Sequence, residues 1–185
     1  HTTLETSAIE EILPNGIRTK DGKFYELDVI ICATGFRAEA FVQELEIKGR
    51  DGHDLAVDWA DEEERAYLGT MIPGYPNYFL ATGPNAGPNH AGGVNIVSEA
   101  QVNFLIECLD YMIAQGARTI EPTHEAFVRH NQRIDDQMKH MIWTHPKAKS
   151  YYLNSKGRPV GPWPFRLVDF WNEMQVLVDG DYRLK

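Results

Sequence analysis

Residues 83–93 (GPNAGPNHAGG) are the part of the sequence whose residue types most directly suggest chemistry. The stretch is rich in glycine, proline and asparagine, and it lies between a predicted buried strand and a predicted helix. Glycine lets the backbone approach a ligand closely, and the first N–H groups of a helix favour anionic or carbonyl-bearing groups. The stretch therefore fits a ligand-binding loop. A surface loop that leads into a helix fits equally well, so the residues alone leave both interpretations open.

Other common chemistries have less support in the sequence. The chain has seven histidines, but those between residues 124 and 145 lack the i, i+4 spacing that places two zinc ligands on one helix face. No G-x-S-x-G elbow is present, so a serine hydrolase is not predicted. The glycine-rich stretch also does not fit G-x-G-x-x-G, the pyrophosphate-binding fingerprint. We therefore predict no metal site and no hydrolase triad.

The first third of the chain is predicted to form strands and turns. Residues 8–13, 17–19 and 23–27 are separated by PNG and KDG turns, a pattern typical of an antiparallel meander. The meander leads into the unbroken apolar run 29–33, which predicts a strand buried on both faces. A second buried strand is predicted over residues 78–82.

Helical patterns dominate the rest of the sequence. Apolar spacing predicts one helix over about 94–115 and a largely solvated outer helix over about 123–143. A hairpin is expected within residues 149–160, and Pro164 is expected to begin a final helix. The chain is therefore predicted to have an α/β fold.

Composition limits the partners that the chain is expected to have. It has 185 residues, of which 43% are hydrophobic and 24% are charged, as in a globular protein of one domain or slightly more. The 27 acidic and 18 basic residues give a net charge of −9, which argues against nucleic acid as a partner. No apolar run reaches the roughly 18–20 residues that a bilayer span needs. Cys32 and Cys108 lie far apart without C-x-x-C spacing, which predicts buried thiols and a cytoplasmic protein.

Several segments, in the same order along the chain, resemble motifs of flavin-dependent monooxygenases. The resemblance is to the Baeyer–Villiger monooxygenases and their flavin-containing monooxygenase relatives, and within these to the 4-hydroxyacetophenone monooxygenase type. The segments are residues 28–36 (DVIICATGF), 67–70 (YLGT) with 73–79 (PGYPNYF), 83–85 (GPN), 99–101 (EAQ), and the C-terminal elements 150–152 (SYY), 156–158 (KGR) and 163–164 (WP).

The resemblance implies a partial FAD/NAD(P)-binding, Rossmann-like flavoprotein fold. Residues 1–36 would be the end of an NADPH-binding domain, formed by the meander and the ATG strand. Residues 37–185 would be the C-terminal half of an FAD-binding domain with substrate-side helices. FAD and NADPH would be the cofactors, and a small ketone and O2 the other reactants. A C4a-peroxyflavin would insert one oxygen atom into the ketone to give an ester or lactone.

Cofactor-binding roles are implied by the same resemblance. Thr34 and Gly35 would lie near the junction with the dinucleotides. Gly83 and Pro84 would begin the loop under the flavin ring. Asn95 would offer its backbone N–H to the pyrimidine edge of the flavin, where the helix dipole stabilises negative charge.

Two further roles concern NADP and the substrate. Tyr151 stands where family members have a tryptophan that packs against NADP. The substrate pocket would be shaped by residues that fall in the family's variable active-site bulge: Pro88, Asn89, His90 and Ala91.

Several family elements are absent from the sequence. It contains neither a G-x-G-x-x-G fingerprint nor the family's F-x-G-x-x-x-H-x-x-x-W/P-type signature, and it lacks the segment with the catalytic arginine. The resemblance thus implies the C-terminal part of an enzyme, with no catalytic residue of its own and no activity alone. An exposed apolar face is expected to make it self-associate. An N- or S-oxidising monooxygenase and a non-catalytic binding module of the same half-fold remain the alternatives.

Overall fold

A computed structural model of the chain describes residues 2–35, 41–42, 45–60, 64–88, 93–148 and 150–185. The chain divides into two compact units, His1–Phe36 and Arg37–Lys185. Each unit has its own secondary structure.

The first unit contains the predicted antiparallel meander. Strands β1 (Ile9–Leu13), β2 (Gly16–Thr19) and β3 (Phe24–Glu26) pair in the order β1-β2-β3. A Cβ atom at Gly16 would collide with the carbonyl oxygen of Tyr25 on β3, so glycine is required at the turn between the first two strands. The meander prediction is confirmed.

The apolar run that follows the meander was expected to be a buried strand, and this prediction is wrong. Residues 28–35 form no strand, and Val29 and Ile31 are 73% and 86% exposed. Cys32 is exposed as well, against the expectation of a buried thiol. A strand needs a neighbour for its N–H and C=O groups, and no described residue pairs with this run in a ladder.

The second unit is mainly helical. Its described helices are α1 (Leu55–Asp58), α2 (Val94–Ala114), α3 (His124–Met138) and α4 (Leu167–Glu173), with short 3-10 turns at Arg50–Gly52 and Ile142–Thr144. Strand β4 (Ile120–Pro122) pairs antiparallel with β5 (Tyr182–Leu184). None of the helices in the described ranges combines the length and the apolar character that crossing a membrane requires.

The main core of this unit lies under one face of α2. That face buries Phe104 and Cys108, and the burial of Cys108 confirms half of the cysteine prediction. Burial, and then the charge of Glu107, raises the pKa of the Cys108 thiol to about 12. Trp163 and Phe170 belong to the same core, with their rings 5.1 Å apart and nearly perpendicular.

The helix over 94–115 is confirmed almost to the residue, while the other boundaries differ. α3 ends at Met138, where the Thr144 hydroxyl donates to the Met138 carbonyl oxygen at 2.9 Å and replaces the next helical turn. α4 begins at Leu167 instead of Pro164. The expected hairpin is reduced to a turn with one antiparallel bridge, between Leu153 and Pro159.

The second predicted strand, over residues 78–82, is also absent. The segment is half-buried and has no ladder partner among the described residues. It is held instead by Thr70, whose carbonyl oxygen accepts from the Leu80 N–H at 2.8 Å and whose hydroxyl donates to the Leu80 carbonyl oxygen at 2.5 Å. This local pairing satisfies Leu80 without a sheet.

Candidate functional site

Asn85 attaches the loop of residues 83–88 to the C-terminal part of the chain. Its side chain is buried, and Nδ2 donates to the carbonyl oxygens of Pro159 and Pro162 at 2.9 and 3.1 Å. Its Oδ1 accepts from Nη2 of Arg158 at 2.7 Å. The Asn85 amide thus makes three hydrogen bonds to residues 158, 159 and 162, and these bonds hold the loop in one position.

Two glycines allow the loop to approach neighbouring backbone. A Cβ atom at Gly83 would lie 2.6 Å from the Gly69 carbonyl oxygen, and one at Gly87 would lie 2.8 Å from the Gly161 carbonyl oxygen. Any other residue at these positions would therefore push the loop away from its supports.

The backbone N–H groups of this loop are used within the chain. The two prolines of the loop, Pro84 and Pro88, carry no N–H. The other donors all reach carbonyl oxygens of the protein at 2.8 to 3.1 Å: Gly83 to Gly69, Asn85 to Val160, Ala86 to Gly83, and Gly87 to Gly161. Within residues 83–88 the N–H groups are therefore not available to a ligand, and the neighbouring segment 160–161 accepts two of them.

The N-terminus of α2 does keep donors for a ligand. Gly93 caps this 21-residue helix without any side-chain hydrogen bond, and the first turn holds no acidic residue. Asn95 is exposed, and no residue within the described ranges accepts from its N–H. The first N–H groups of a helix have no partner inside it, and they carry the positive end of its dipole. This end of α2 can therefore bind a group with negative or partly negative charge.

Gln101 connects α2 to the segment that precedes the loop. Its buried amide accepts from the Thr82 N–H at 2.6 Å and donates to the carbonyl oxygens of Leu68 and Gly69 at 3.3 and 3.1 Å. The Thr82 hydroxyl also lies 3.1 Å from that of Ser98 on the same helix. Together these bonds hold Thr82 at φ +57, a conformation that costs energy for a branched residue.

Asn85 and Gln101 were not predicted to have a site role, although both lie in segments that resemble family motifs. The sequence does hold a signal for Gln101, which is a polar residue at an apolar position of the helix. It falls on the buried face of α2 between Val97 and Phe104. Buried polar side chains require partners, but the sequence does not indicate which ones.

The segment that carries Tyr151 is bonded to the segment that supports this loop, since the Val160 N–H donates to the Tyr152 carbonyl oxygen at 3.0 Å. The Tyr151 ring is exposed and lies 4.2 Å, centroid to centroid, from the ring of Tyr152. Tyr152 in turn packs on Gly161, and the hydrogen bond that its hydroxyl donates to Tyr151, followed by burial, raises the pKa of that hydroxyl. The Tyr151 ring is therefore exposed and is supported by the ring of Tyr152.

The remaining predicted site residues are Thr34, Gly35 and residues 88–91. Thr34 and Gly35 are exposed in the first unit, where Gly35 has φ +89. Pro88 is half-buried at the end of the loop. Asn89, His90 and Ala91, which were predicted to shape a substrate pocket, lie outside the described residues.

The bonds of Asn85 fix the loop to the C-terminal part of the chain, and the bonds of Gln101 fix the segment before the loop to α2. We call residues 83–88 with the N-terminus of α2 at 93–95 the loop-and-helix site. The site has no nucleophile and no buried acid or base among the residues just described, and no cluster of three metal-ligating side chains occurs in the described ranges. Its chemistry is that of binding and orienting a ligand.

Solved structures show the class of fold to which this arrangement belongs. Cyclohexanone monooxygenase from Rhodococcus sp. Phi1, bound to NADP+, matches with a TM-score of 0.80 and 29% identity, over 97% of this chain and 34% of that one. Oxidised steroid monooxygenase bound to NADP gives a TM-score of 0.80 and 29% identity, over 96% of this chain and 34% of that one. The chain therefore has the fold of about one third of an FAD- and NADP-binding monooxygenase.

Curated relatives are monooxygenases as well, although no family model matches the chain. An uncharacterised monooxygenase, y4iD of Sinorhizobium fredii, is 31% identical over 183 residues, covering 99% of this chain and 28% of the relative. A Baeyer–Villiger monooxygenase of Pseudomonas aeruginosa is 32% identical over 165 residues, covering 89% of this chain and 31% of the relative. Acetone monooxygenase (methyl acetate-forming) of Gordonia sp. is 36% identical over 157 residues, covering 82% and 28%.

The chain spans between 28% and 31% of the length of these three relatives. Over almost its full length it is thus homologous to Baeyer–Villiger and related flavin monooxygenases. The predicted resemblance to these enzymes and the predicted α/β flavoprotein fold are confirmed.

Proposed function

We propose that this chain forms the flavin-side part of a Baeyer–Villiger monooxygenase that uses FAD and NADPH. The reaction consumes a ketone, O2, NADPH and a proton, and it yields an ester or lactone, water and NADP+. The observation that carries the proposal is the match over 97% of the chain to an NADP-bound cyclohexanone monooxygenase. An FAD-binding monooxygenase of Aspergillus niger, 29% identical over 189 residues, supports FAD as the cofactor.

The loop-and-helix site fits the flavin. The uncapped, positively polarised end of α2 suits the pyrimidine edge of the isoalloxazine ring, which becomes negatively charged on reduction. Asn95 would direct its backbone N–H at that edge. When bound, FAD supplies the activation of O2, and the protein supplies orientation and electrostatics.

The chain's own residues would position the flavin and exclude water from it. Gly83 and Pro84 would form the buried surface under the ring, at a position fixed by Asn85. Tyr151 would offer its exposed ring to NADP. Residues 88–91 would border the ketone. Thr34 and Gly35 would contact the dinucleotides from the first unit.

The domain organisation follows from the same proposal. Residues 1–36 would complete an NADPH-binding domain, and residues 37–185 would form the C-terminal half of the FAD-binding domain. Within the family we propose the 4-hydroxyacetophenone monooxygenase type, on the motif resemblance alone.

The test is an oxygenation assay on the complete polypeptide that contains this sequence, supplied with FAD, NADPH and 18O2. Acetophenone should accelerate NADPH oxidation and yield phenyl acetate with one 18O atom, detected by mass spectrometry. The 185 residues alone should give no product, because they contain no dinucleotide fingerprint.

A competing substrate separates the alternatives in the same assay. Oxygen transfer to thioanisole without any ester from a panel of ketones would assign the protein to the sulfur- and nitrogen-oxidising enzymes instead. Absence of any oxygenated product in FAD-loaded protein would contradict the proposal and favour the binding module.

A further inference from the structure

A cleft of about 510 Å³ opens on the second unit beside α3. Its wall is formed by Tyr67, by α3, by the C-terminal turn of α4 and by the segment that leads to β5. The residues that line it include Tyr67, Arg129, His130, Arg133, Asn172 and Val178. The volume is within the range of about 300–1,000 Å³ that small-molecule sites occupy.

His130 is a buried polar group in the wall of this cleft. It is 7% exposed, its ring stacks on Trp163 at 6.3 Å, and the edge of Tyr67 meets it at 5.5 Å. No residue in the described ranges forms a hydrogen bond with its ring nitrogens. Solvent reaches these ring nitrogens, so a polar group that enters the cleft can take the place of water at this ring.

The imidazole is uncharged. Burial, and then the charges of Arg133 and Arg129, lowers the pKa of His130 to about 3. A neutral imidazole offers one N–H donor and one acceptor nitrogen. The His130 ring therefore offers hydrogen-bonding positions to a polar group without adding charge to the cleft.

The formal charges that line the cleft are balanced. Arg129 pairs with Asp181 through Nη2 alone, at 2.6 and 2.8 Å. Arg133 forms a bidentate salt bridge with Glu173, from Nη1 to Oε2 at 2.9 Å and from Nη2 to Oε1 at 2.5 Å. An anion would lose its water without meeting a free positive charge.

The Arg129 guanidinium has donors that it does not use within the protein. The Nε–H and Nη1–H groups of Arg129 reach no acceptor among the residues that the structure describes, and the amide of Asn172 is exposed beside them. The remaining surface includes the apolar side chains of Leu68, Ala126, Val176 and Val178. The chemistry of the wall thus favours an uncharged molecule that has an apolar body and an acceptor oxygen.

We propose that the cleft beside α3 is a binding site for a small uncharged carbonyl compound, whose oxygen accepts a hydrogen bond from the His130 ring. The apolar body lies against Val176 and Val178. The guanidinium of Arg129 provides a second donor at the rim. This site is independent of the proposed function, since neither FAD nor NADPH takes part in it.

The test uses three ligands of nearly equal shape and follows the imidazole signals of the complete protein by NMR. Acetophenone has the carbonyl, ethylbenzene lacks it, and benzoate replaces it with a carboxylate. Acetophenone should shift the His130 ring signals saturably, while those of the exposed His53, which does not line the cleft, stay in place. Ethylbenzene should bind about tenfold more weakly, because one hydrogen bond to the buried ring is lost. Benzoate should give no saturable shift.

Two variants identify the site without removing His130. Val178→Trp places an indole in the cleft and should abolish the acetophenone shift. Val168→Trp, at an exposed position of α4 that does not line the cleft, should leave it unchanged. Equal affinity for ethylbenzene and acetophenone, no saturable shift, or persistence of the shift in the Val178→Trp variant would each overturn the proposal.

Discussion

Asn85 shows how a single side chain can determine the shape of the loop-and-helix site. It adopts a left-handed backbone conformation at φ +56, which asparagine tolerates better than most residues. Its amide also bridges the loop to Arg158 and to two proline carbonyl groups. Both the conformation and the bonds would be lost with a small apolar side chain.

We therefore expect Asn85→Ala to lower the free energy of unfolding by about 3 kcal/mol, from unsatisfied buried groups and the left-handed backbone. Urea unfolding monitored by circular dichroism measures this change. Asn103→Ala, at an exposed position of α2, is the matched control and should stay within about 0.5 kcal/mol of the parent. Equal stability of both variants would show that Asn85 does not hold the loop.

Sequence patterns do not identify the hydrogen-bond partners of buried polar residues such as Asn85. Asn85 bonds to groups 73 to 77 positions further along the chain, and Gln101 to groups 32 and 33 positions before it. Motif resemblance marked both segments, but residue type and spacing carry no information about which distant carbonyl will be adjacent. The sequence therefore marked these segments by their resemblance to family motifs, while their bonding partners could not be predicted.

At the scale of elements, structure that depends on local bonds could be predicted from the sequence, while pairing between distant segments could not. The bonds of α2 are local, so its extent could be predicted from residues 94–115 alone. The meander was equally predictable, because its strands are joined by short turns. The apolar runs 29–33 and 78–82 have strand-like sequences, but strand pairing depends on distant segments, and the described residues provide no ladder for either.

Glu121 connects elements that are far apart in sequence. It lies fully buried on β4 and accepts hydrogen bonds from Arg50 Nε at 2.9 Å, Arg183 Nε at 2.7 Å and Gly74 N at 2.7 Å. Burial alone would raise the pKa of this carboxyl group. The bonds from Arg183, Arg50 and Gly74 outweigh burial, and the net effect lowers it.

A lowered pKa makes the stability of this junction depend on pH in a defined direction. Below the ordinary glutamate value of about 4.3, the unfolded chain binds the proton and the folded chain does not. The stabilisation is therefore complete above that pH and is lost as the pH falls toward the lower pKa of the folded protein. The free energy of unfolding should decline over this acidic range.

Glu121→Gln removes the titrating group and should flatten that decline, in urea titrations between pH 5 and pH 3. Glu107→Gln, at an exposed position of α2, serves as the control and should keep the slope of the parent protein. An unchanged slope in the Glu121→Gln variant would mean that other carboxylates determine the acid sensitivity.

At the scale of the whole molecule, α2 has an apolar stripe on the side opposite its core. Val102, Ile106 and Ile113 are 51%, 49% and 68% exposed, and their spacing places them on one line along the helix. The buried residues Val97 and Phe104 occupy the opposite face. Contiguous exposed apolar surface of this kind favours association between molecules.

The 185-residue chain should therefore form dimers or larger assemblies in solution, as its exposed apolar surface predicts. Replacing the three stripe residues by glutamine should shift the weight-average mass in sedimentation velocity toward the 21.1 kDa monomer, because glutamine keeps the helix propensity but removes the apolar surface. The matched control replaces three exposed valines on α1, α3 and α4, namely Val57, Val128 and Val168. These valines lie on different helices and form no common stripe, so this triple variant should associate as the parent does. A monomeric parent chain at tens of micromolar would contradict the prediction, and so would equal dissociation of both triple variants.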